Sequence, residues 1–372
     1  MISVCEPTLI GKELEYVSDC IKSTWISSAG KYIEKFESDF SKYCGMKYGV
    51  ACSNGTTALH MAVSALGIGN GDEVIIPSHT IISCANAILF TGATPVFVDS
   101  RLDDWNIDPQ KIEEKITPKT KAIMVVHTYG HPCDMDKIQQ IAKKHNLKII
   151  EDAAESHGGE YNGKKTGSLG DISCFSFYSN KIITTGEGGM VLTNDDKIVE
   201  KLRRLRNLGF KQPRYVHDEI ANNYRLTNVQ AAIGCAQLEN IDKFAEMRRS
   251  NAKLYNSHLK NVEGITTPPE LPGSKNVYWM YGILVDKEKF GLSRDDVVTK
   301  LKELGIDTRT FFYPMHMQPV FQNTNINVSG KYPIAEKFWN EGLYLPSSSH
   351  LTSEQIKEVC DKLISLKKQN EK

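Results

Sequence analysis

The segment that decides the fold runs from residue 173 to residue 190 and reads SCFSFYSNKIITTGEGGM. It begins with an apolar, aromatic run of strand length and then reaches Lys181 in a loop rich in Ser, Thr and Gly. Such runs, apolar throughout rather than alternating, predict strands of a sheet that is covered on both faces. The same texture recurs at residues 48–52, 73–77, 95–98, 122–127, 148–151, 173–178 and 190–193.

Helical patterns separate several of these runs, and the order predicts an α/β fold with a mostly parallel sheet and right-handed crossovers. From about Asn228 the texture changes to a long helical pattern through Leu259, a Pro/Gly segment, a β-like stretch at 278–285 and a last helix at 353–366. We therefore expect a large α/β domain at residues 1–245 and a smaller α+β domain at residues 246–372.

Composition narrows the class of protein. The 372 residues contain 45 basic and 45 acidic side chains, so nothing indicates a nucleic-acid or membrane surface. The first residues lack the pattern of a signal peptide. The nine cysteines form no Cys-x-x-Cys, which favours reduced thiols in a cytoplasm, and no metal site is expected.

Lys181 is the candidate nucleophile. A partly desolvated lysine can lose its proton near neutral pH, and the glycines after Lys181 allow tight turns beside a bound group. The alternative, a solvated surface lysine, is the usual one for an arbitrary lysine, but the aromatic run before Lys181 argues against it.

A second segment, residues 148–159, reads KIIEDAAESHGG and places Asp152 at the carboxyl end of a predicted strand, where ligands bind in open α/β sheets. A carboxylate there could pair with the pyridine nitrogen of pyridoxal 5'-phosphate (PLP) and keep it protonated. A helix N-cap is an equally good interpretation of Asp152 alone.

A third segment, residues 52–65, reads CSNGTTALHMAVSA and opens a helix after a strand. The free N–H groups of such a helix start bind phosphate, although the same residues also simply cap helices. No lysine follows in P-loop spacing, so an ATP site is not expected. Together the three segments supply a phosphate cradle, a carboxylate and a lysine, a far more specific combination than any one of them.

The sequence resembles the sugar aminotransferases, PLP enzymes with the aspartate aminotransferase-like fold. The resemblance covers nearly the whole chain, and the lysine motif is its most specific part. It is carried by residues 24–28, 53–56, 71–74, 92–95, 127–135, 151–155, 176–177, 180–190 and 223–228.

The resemblance implies roles for individual residues. Lys181 holds the cofactor and moves protons at the sugar carbon, Asp152 pairs with the ring nitrogen, and Glu155 approaches the ring hydroxyl, where many relatives have Gln. Further cofactor and substrate contacts are implied for Gly55, Thr56, Thr57 and Ser176 at the phosphate, Asn223 at the phosphate of the other subunit's cofactor, Arg225 at the nucleotide phosphates and His316 near the sugar. For His316, a packed structural histidine is an equally good interpretation.

The resemblance also implies the reaction: amination at C4 of a nucleotide-linked 4-keto-6-deoxy sugar, with GDP as the nucleotide and glutamate as the amino donor. A homodimer with shared active sites, in the cytoplasm and in O-antigen (lipopolysaccharide) biosynthesis, is expected. The alternatives are an aminotransferase acting at C3 or on a UDP- or dTDP-sugar, and a non-enzymatic regulator on the same fold.

Two positions depart from the family pattern. Ile81 stands where relatives have an aromatic residue that stacks on the cofactor ring, so either His79 takes over or the ring lies against aliphatic carbon. Thr310 stands where relatives commonly have Pro after the arginine of this segment, Arg309, which bears on the shape of the sugar pocket.

Overall fold

The computed structural model of the protein describes residues 1–370, with side chains described up to residue 367. The helices are α1 Glu13–Ser23, α2 Lys31–Tyr43, α3 Gly55–Ala65, α4 Ile82–Leu89, α5 Pro109–Ile112, α6 Met135–His145, α7 Asp196–Arg206, α8 Asn228–Leu238, α9 Ile241–Leu259, α10 Lys287–Phe290, α11 Arg294–Glu303, α12 Pro319–Gln322, α13 Pro333–Glu341 and α14 Ser353–Asn370. The strands are β1 Tyr48–Cys52, β2 Glu73–Pro77, β3 Thr94–Val98, β4 Thr120–Val126, β5 Lys148–Asp152, β6 Glu160–Tyr161, β7 Lys164–Lys165, β8 Ile172–Ser176, β9 Gly189–Thr193, β10 Ile265–Thr266, β11 Ser274–Lys275, β12 Tyr281–Val285, β13 Arg309–Thr310 and β14 Gly342–Leu345.

The central sheet has the strand order β1-β9-β8-β5-β4-β2-β3, with β9 antiparallel to both neighbours and the remaining pairs parallel. This confirms the predicted α/β fold, and the seven expected strands differ from the observed ones by at most two residues at either end. Cys52 and Ser176 both pair with Gly189, and Cys174 pairs with Asp152. The register therefore brings the ends of β1, β8 and β5 to one edge of the sheet.

The long helical pattern after residue 228 is two helices, so the expectation of one continuous helix was wrong. The helix is interrupted at Asn240, which has φ −117° and ψ 7°. Its side-chain amide donates to the Ala236 carbonyl. An asparagine side chain that bonds the backbone competes with continued helix formation. The break turns α9 away from α8 and toward the second sheet.

That second sheet has the antiparallel order β10-β12-β14-β13 and shares one apolar core with α9, α11 and α14. The last helix begins with a capping box, because Thr352 and Gln355 exchange two hydrogen bonds. Residue 245, the expected domain boundary, lies within α9, and the division into two domains stays a prediction.

The described residues contain neither a membrane-spanning helix nor a metal-binding cluster. None of the helices in the described part of the chain has the length and apolarity needed to cross a bilayer. Within residues 1–370 no cluster of His, Cys, Asp or Glu is arranged to hold a metal ion.

Candidate active site

A cavity of about 420 Å³ opens at the edge of the central sheet where β1, β5 and β8 end. Six of the residues to which the resemblance assigns a role lie on its wall: Gly55, Thr56, Asp152, Glu155, Ser176 and Lys181. They come from three separate loops, and the sheet register gathers them because the carboxyl ends of these strands face the same way.

Lys181 lies deep in this cavity, with only 11% of its side chain exposed. Its Nζ is 3.7 Å from the centroid of the Trp279 ring and 3.9 Å from Glu155 Oε1. Burial lowers the pKa of the Lys181 amine, and this effect outweighs the opposing pull of the Glu155 and Asp152 charges. The surface-lysine alternative is therefore wrong, and the amine is suited to act as a nucleophile.

Asp152 is buried at the last position of β5. Its Oδ1 accepts from the Ala154 N–H at 3.1 Å, and its Oδ2 accepts from the Cys84 thiol at 3.2 Å. Burial raises the pKa of the Asp152 carboxyl, while these two hydrogen bonds and the nearby Lys181 lower it. No helix follows β5 directly, so the N-cap interpretation of Asp152 does not hold.

Glu155 is the second buried carboxyl group. Its Oε2 accepts from the Tyr129 N–H at 2.7 Å, while its Oε1 faces Lys181. Burial raises the pKa of Glu155 to about 7. Tyr129 donates this bond from a left-handed backbone with φ 53°, a strain of about 1–3 kcal/mol that persists only where the surroundings enforce it. The strained turn thus aims one N–H at the carboxyl group beside Lys181.

The start of α3 forms the other end of the cavity. Gly55 and Thr56 occupy the first two helical positions, whose N–H groups have no carbonyl partner within a helix. A Cβ on residue 55 would lie 2.7 Å from the Cβ of Ser176, so only glycine lets the helix start approach β8 this closely. Thr57 serves the cap instead, because its N–H donates to Asn54 Oδ1 at 2.9 Å.

Comparison with known proteins identifies the family to which a chain with this cavity belongs. Residues 7–364 match the model of the DegT/DnrJ/EryC1/StrS aminotransferase family. The chain belongs to this family. The chain is thus a transaminase with PLP as its cofactor.

Individual members of the family match the chain over almost its full length. It is 48% identical over 360 residues to the GDP-perosamine synthase of Caulobacter vibrioides, covering 96% of each chain. It is 46% identical to the GDP-perosamine synthase of Escherichia coli O157:H7, covering 97% of each. The crystal structure of S. venezuelae DesV superposes with a TM-score of 0.90 at 36% identity, covering 97% of this chain and 95% of that one.

The residues of the cavity fit PLP, the cofactor of this family. The cofactor requires an amine for its aldehyde carbon, a carboxylate for its ring nitrogen and N–H or O–H donors for its phosphate. Lys181, Asp152 and the start of α3 beside Ser176 offer these groups. Because residue 55 is glycine, no side chain stands between the start of α3 and Ser176, where the phosphate would bind.

Aromatic side chains complete the wall, and three of them, Trp279, Phe312 and Tyr344, were not expected from the sequence. Trp279, Phe312 and Tyr344 come from the second half of the chain, and Tyr178 precedes the lysine loop. Trp279 also donates from its indole nitrogen to the Asn180 carbonyl at 2.8 Å, which fixes the loop next to Lys181.

Of the two residues considered for the cofactor ring, Ile81 lines the cavity and His79 does not. Ile81 lies on the cavity wall and is 44% exposed. His79 is fully buried among aromatic rings, 5.0 Å from the centroid of Phe338, and neither of its ring nitrogens has a hydrogen-bond partner among the described residues. Burial lowers the pKa of His79 to about 3. His79 is thus a neutral packing residue in this position.

The remaining residues from the sequence lie outside the Lys181 cavity. Arg225 lines a separate cavity of about 280 Å³ and donates to Asn207 Oδ1 at 2.7 Å, while Asn223 is exposed nearby. Thr310 pairs with Leu343 in the second sheet.

His316 is also away from the cavity wall. Its Nδ1 is 2.7 Å from Ser78 Oγ, its Nε2 is 3.2 Å from Glu336 Oε1, and its ring stacks on Tyr332 with centroids 4.2 Å apart. This placement agrees with the packed-histidine interpretation, and the substrate role of His316 stays a prediction.

Proposed function

We propose that this transaminase converts a GDP-linked 4-keto-6-deoxy sugar into the corresponding 4-amino sugar, with glutamate as the amino donor. The observation that carries the proposal is the buried Lys181 amine between Glu155 and Trp279, with Asp152 on the same wall. The choice of sugar nucleotide is supported by the identity of 48% and 46% to two GDP-perosamine synthases over nearly whole chains.

Each residue of the cavity has a proposed task. Lys181 holds the cofactor and carries the proton to and from the reacting carbon, for which its lowered pKa makes it suitable. Asp152 would keep a proton on the ring nitrogen of PLP, and the cofactor held in this way would supply the electron sink for the reaction. Gly55, Thr56 and Ser176 bind the phosphate, and the buried Trp279 ring beside Nζ shields Lys181 from water.

The site is proposed to be completed by a second copy of the chain. Neither Asn223 nor Arg225 lines the cavity that contains Lys181, and Arg225 lines a separate cavity, which is the arrangement expected if they serve the site of a second copy. The N-terminal part also exposes large apolar side chains, among them Leu14 at 80% and Ile21 at 60%, which favours a covered surface. In a homodimer, Asn223 would serve the partner's cofactor and Arg225 the nucleotide phosphates.

The cellular setting and the domain division belong to the same proposal. We place the enzyme in the cytoplasm and its product in O-antigen (lipopolysaccharide) biosynthesis. The chain would consist of a PLP-binding α/β domain at residues 1–245 and a smaller α+β domain at residues 246–372.

The test uses the PLP-loaded enzyme with glutamate and matched GDP-, UDP- and dTDP-linked 4-keto-6-deoxy sugars. Mass spectrometry should detect replacement of the carbonyl oxygen by an amino group, and kcat/KM should be highest for the GDP form. The Lys181→Ala variant should give no product with any of them. A higher kcat/KM for the UDP or dTDP form would reject the GDP assignment, and product formed by Lys181→Ala would reject the catalytic role of the lysine.

A further inference from the structure

The carboxylate of Asp152 accepts a hydrogen bond from the thiol of Cys84, a residue that does not line the cavity. Cys84 lies in the first turn of α4 and is fully buried, and its Sγ is 3.2 Å from Asp152 Oδ2. The second oxygen of the carboxylate accepts the Ala154 N–H at 3.1 Å. One donor on each oxygen fixes the plane of the carboxyl group, because rotation about its bond to Cβ would break both hydrogen bonds.

The thiol is itself held by a hydroxyl. Thr80 Oγ1 is 3.3 Å from Cys84 Sγ, and Thr80 is also fully buried. When the thiol donates its proton to Asp152, the Thr80 hydroxyl is left to donate to the sulfur. Hydrogen bonds in such a chain polarise one another, and each is stronger than the same bond alone.

The Cys84 thiol keeps its proton in this arrangement. Burial first, and the Asp152 charge second, raise the pKa of the Cys84 thiol well above its usual value. The S–H group therefore stays a donor and does not become a second anion beside Asp152. The hydrogen bond from Cys84 in turn lowers the pKa of Asp152, against the effect of burial. The contact favours the ionised carboxylate in a place where desolvation opposes it.

We propose that Thr80 and Cys84 form a hydrogen-bond relay that orients the Asp152 carboxylate toward the ring nitrogen of the cofactor. Cys84 is then a positioning residue, since it acts through Asp152 and does not line the cavity. The inference rests on the proposed role of Asp152 and adds to it a contact that favours the ionised carboxylate and fixes its orientation.

The first experiment measures PLP binding by the apoenzyme as a function of pH, with the cofactor absorbance as the readout. Cys84→Ala should weaken PLP binding about 5-fold at neutral pH, the worth of one modest hydrogen bond. The loss should be larger at lower pH, because Asp152 without its donor protonates at higher pH. Cys84→Ser keeps a donor and should stay within about 2-fold of the wild type. Thr80→Val should weaken binding less than Cys84→Ala.

Cys133 offers a matched control. It is equally buried, and its thiol donates to the Val126 carbonyl at 3.1 Å instead of to a catalytic carboxylate. Cys133→Ala removes the same atoms from the core, so its loss of thermal stability should be comparable to that of Cys84→Ala. Its PLP affinity and the pH dependence of that affinity should equal those of the wild type.

The second experiment separates this inference from the proposed role of Asp152. If Asp152→Asn alone leaves PLP binding and transamination unchanged, the role of Asp152 is overturned, and the relay falls with it. If Asp152→Asn is impaired, Cys84→Ala should cause no further loss of PLP affinity in that background. An additive loss in the double variant, or an equal loss in Cys84→Ser and Cys84→Ala, would mean that residue 84 acts only by packing and would overturn the relay.

Discussion

Replacing Gly55 by alanine tests whether the start of α3 closes against β8 as tightly as the geometry requires. The added Cβ would lie 2.7 Å from the Cβ of Ser176 and 3.2 Å from its Oγ. Carbon atoms attract each other best at about 3.5–4.0 Å, so the two elements must separate by about 1 Å. Gly55 is helical and does not have a left-handed φ, so the strain comes from the contact and not from the backbone.

The magnitude follows from two opposing effects. Overpacking a tight contact costs about 1–3 kcal/mol. Alanine in place of glycine within a helix returns about 0.5–1 kcal/mol. Together these ranges give a loss in the free energy of unfolding of Gly55→Ala of about 0–2.5 kcal/mol, with a midpoint of about 1 kcal/mol. If the separation also costs one phosphate hydrogen bond of about 1.4 kcal/mol, PLP affinity falls about 10-fold.

The assay is urea denaturation of the apoenzyme together with PLP titration followed by absorbance. Gly69→Ala is the matched control, because a Cβ on residue 69 would meet only the Thr91 carbonyl oxygen at 3.4 Å and its φ is not left-handed. The control should retain the PLP affinity of the wild type. If Gly55→Ala matched Gly69→Ala in both stability and affinity, the proposed phosphate cradle between Gly55 and Ser176 would be refuted.

The remaining predictions concern charge and assembly. Burial raises the pKa of Glu155 from 4.5 to about 7, which means that the folded state favours the protonated carboxyl group. The contribution of this group to the free energy of unfolding is therefore fully present below pH 4.5 and is lost as pH rises through 7. Apo Glu155→Gln should therefore gain up to about 3 kcal/mol relative to the wild type between pH 4.5 and 8 in denaturation curves, and a pH-independent difference would contradict this. Asp152→Asn should keep the fold, as measured by circular dichroism, and lose transamination by about 10²-fold, with near wild-type turnover as the opposing result. Mixed Lys181→Ala and Arg225→Ala subunits should regain up to about a quarter of wild-type activity, since a mixed dimer has one intact site, and exchange without recovery would place Arg225 in its own subunit's site.

The fold and the framework of the site could be predicted because they depend on short segments and one topological rule. Apolar runs of strand length locate the strands to within two residues. The rule that ligands bind at the carboxyl ends of strands then collects Asp152, Ser176 and the start of α3 without knowledge of any contact. The prediction of one long helix was wrong because a single asparagine side chain, that of Asn240, ends the hydrogen-bond pattern there.

Three members of the aromatic wall, Trp279, Phe312 and Tyr344, could not be predicted, since they are far from the lysine in sequence and show no periodicity of their own. Trp279 lies outside the regular strands and follows Tyr278, whose backbone is left-handed with φ 47°. Phe312 and Tyr344 likewise reach the cavity from segments of the second sheet region. Only the packing of α9 and the second sheet against the central sheet brings these rings to Lys181.

The chemistry of Lys181 is consequently a property of the whole fold and not of its own loop. The loop sequence supplies an amine and permits the turn, but desolvation is the largest cause of the lowered pKa. The Trp279 ring, whose centroid lies 3.7 Å from Nζ, provides part of that desolvation. The same burial raises the pKa values of Asp152 and Glu155, so desolvation drives all three groups toward their neutral forms. A bound cofactor with a protonated ring nitrogen reverses this tendency for Asp152, because a cation beside a carboxylate favours its ionised form. Cofactor binding and the ionisation of Asp152 must then strengthen each other, and any contact that favours the carboxylate anion, such as the Cys84 thiol, adds to PLP affinity without touching PLP.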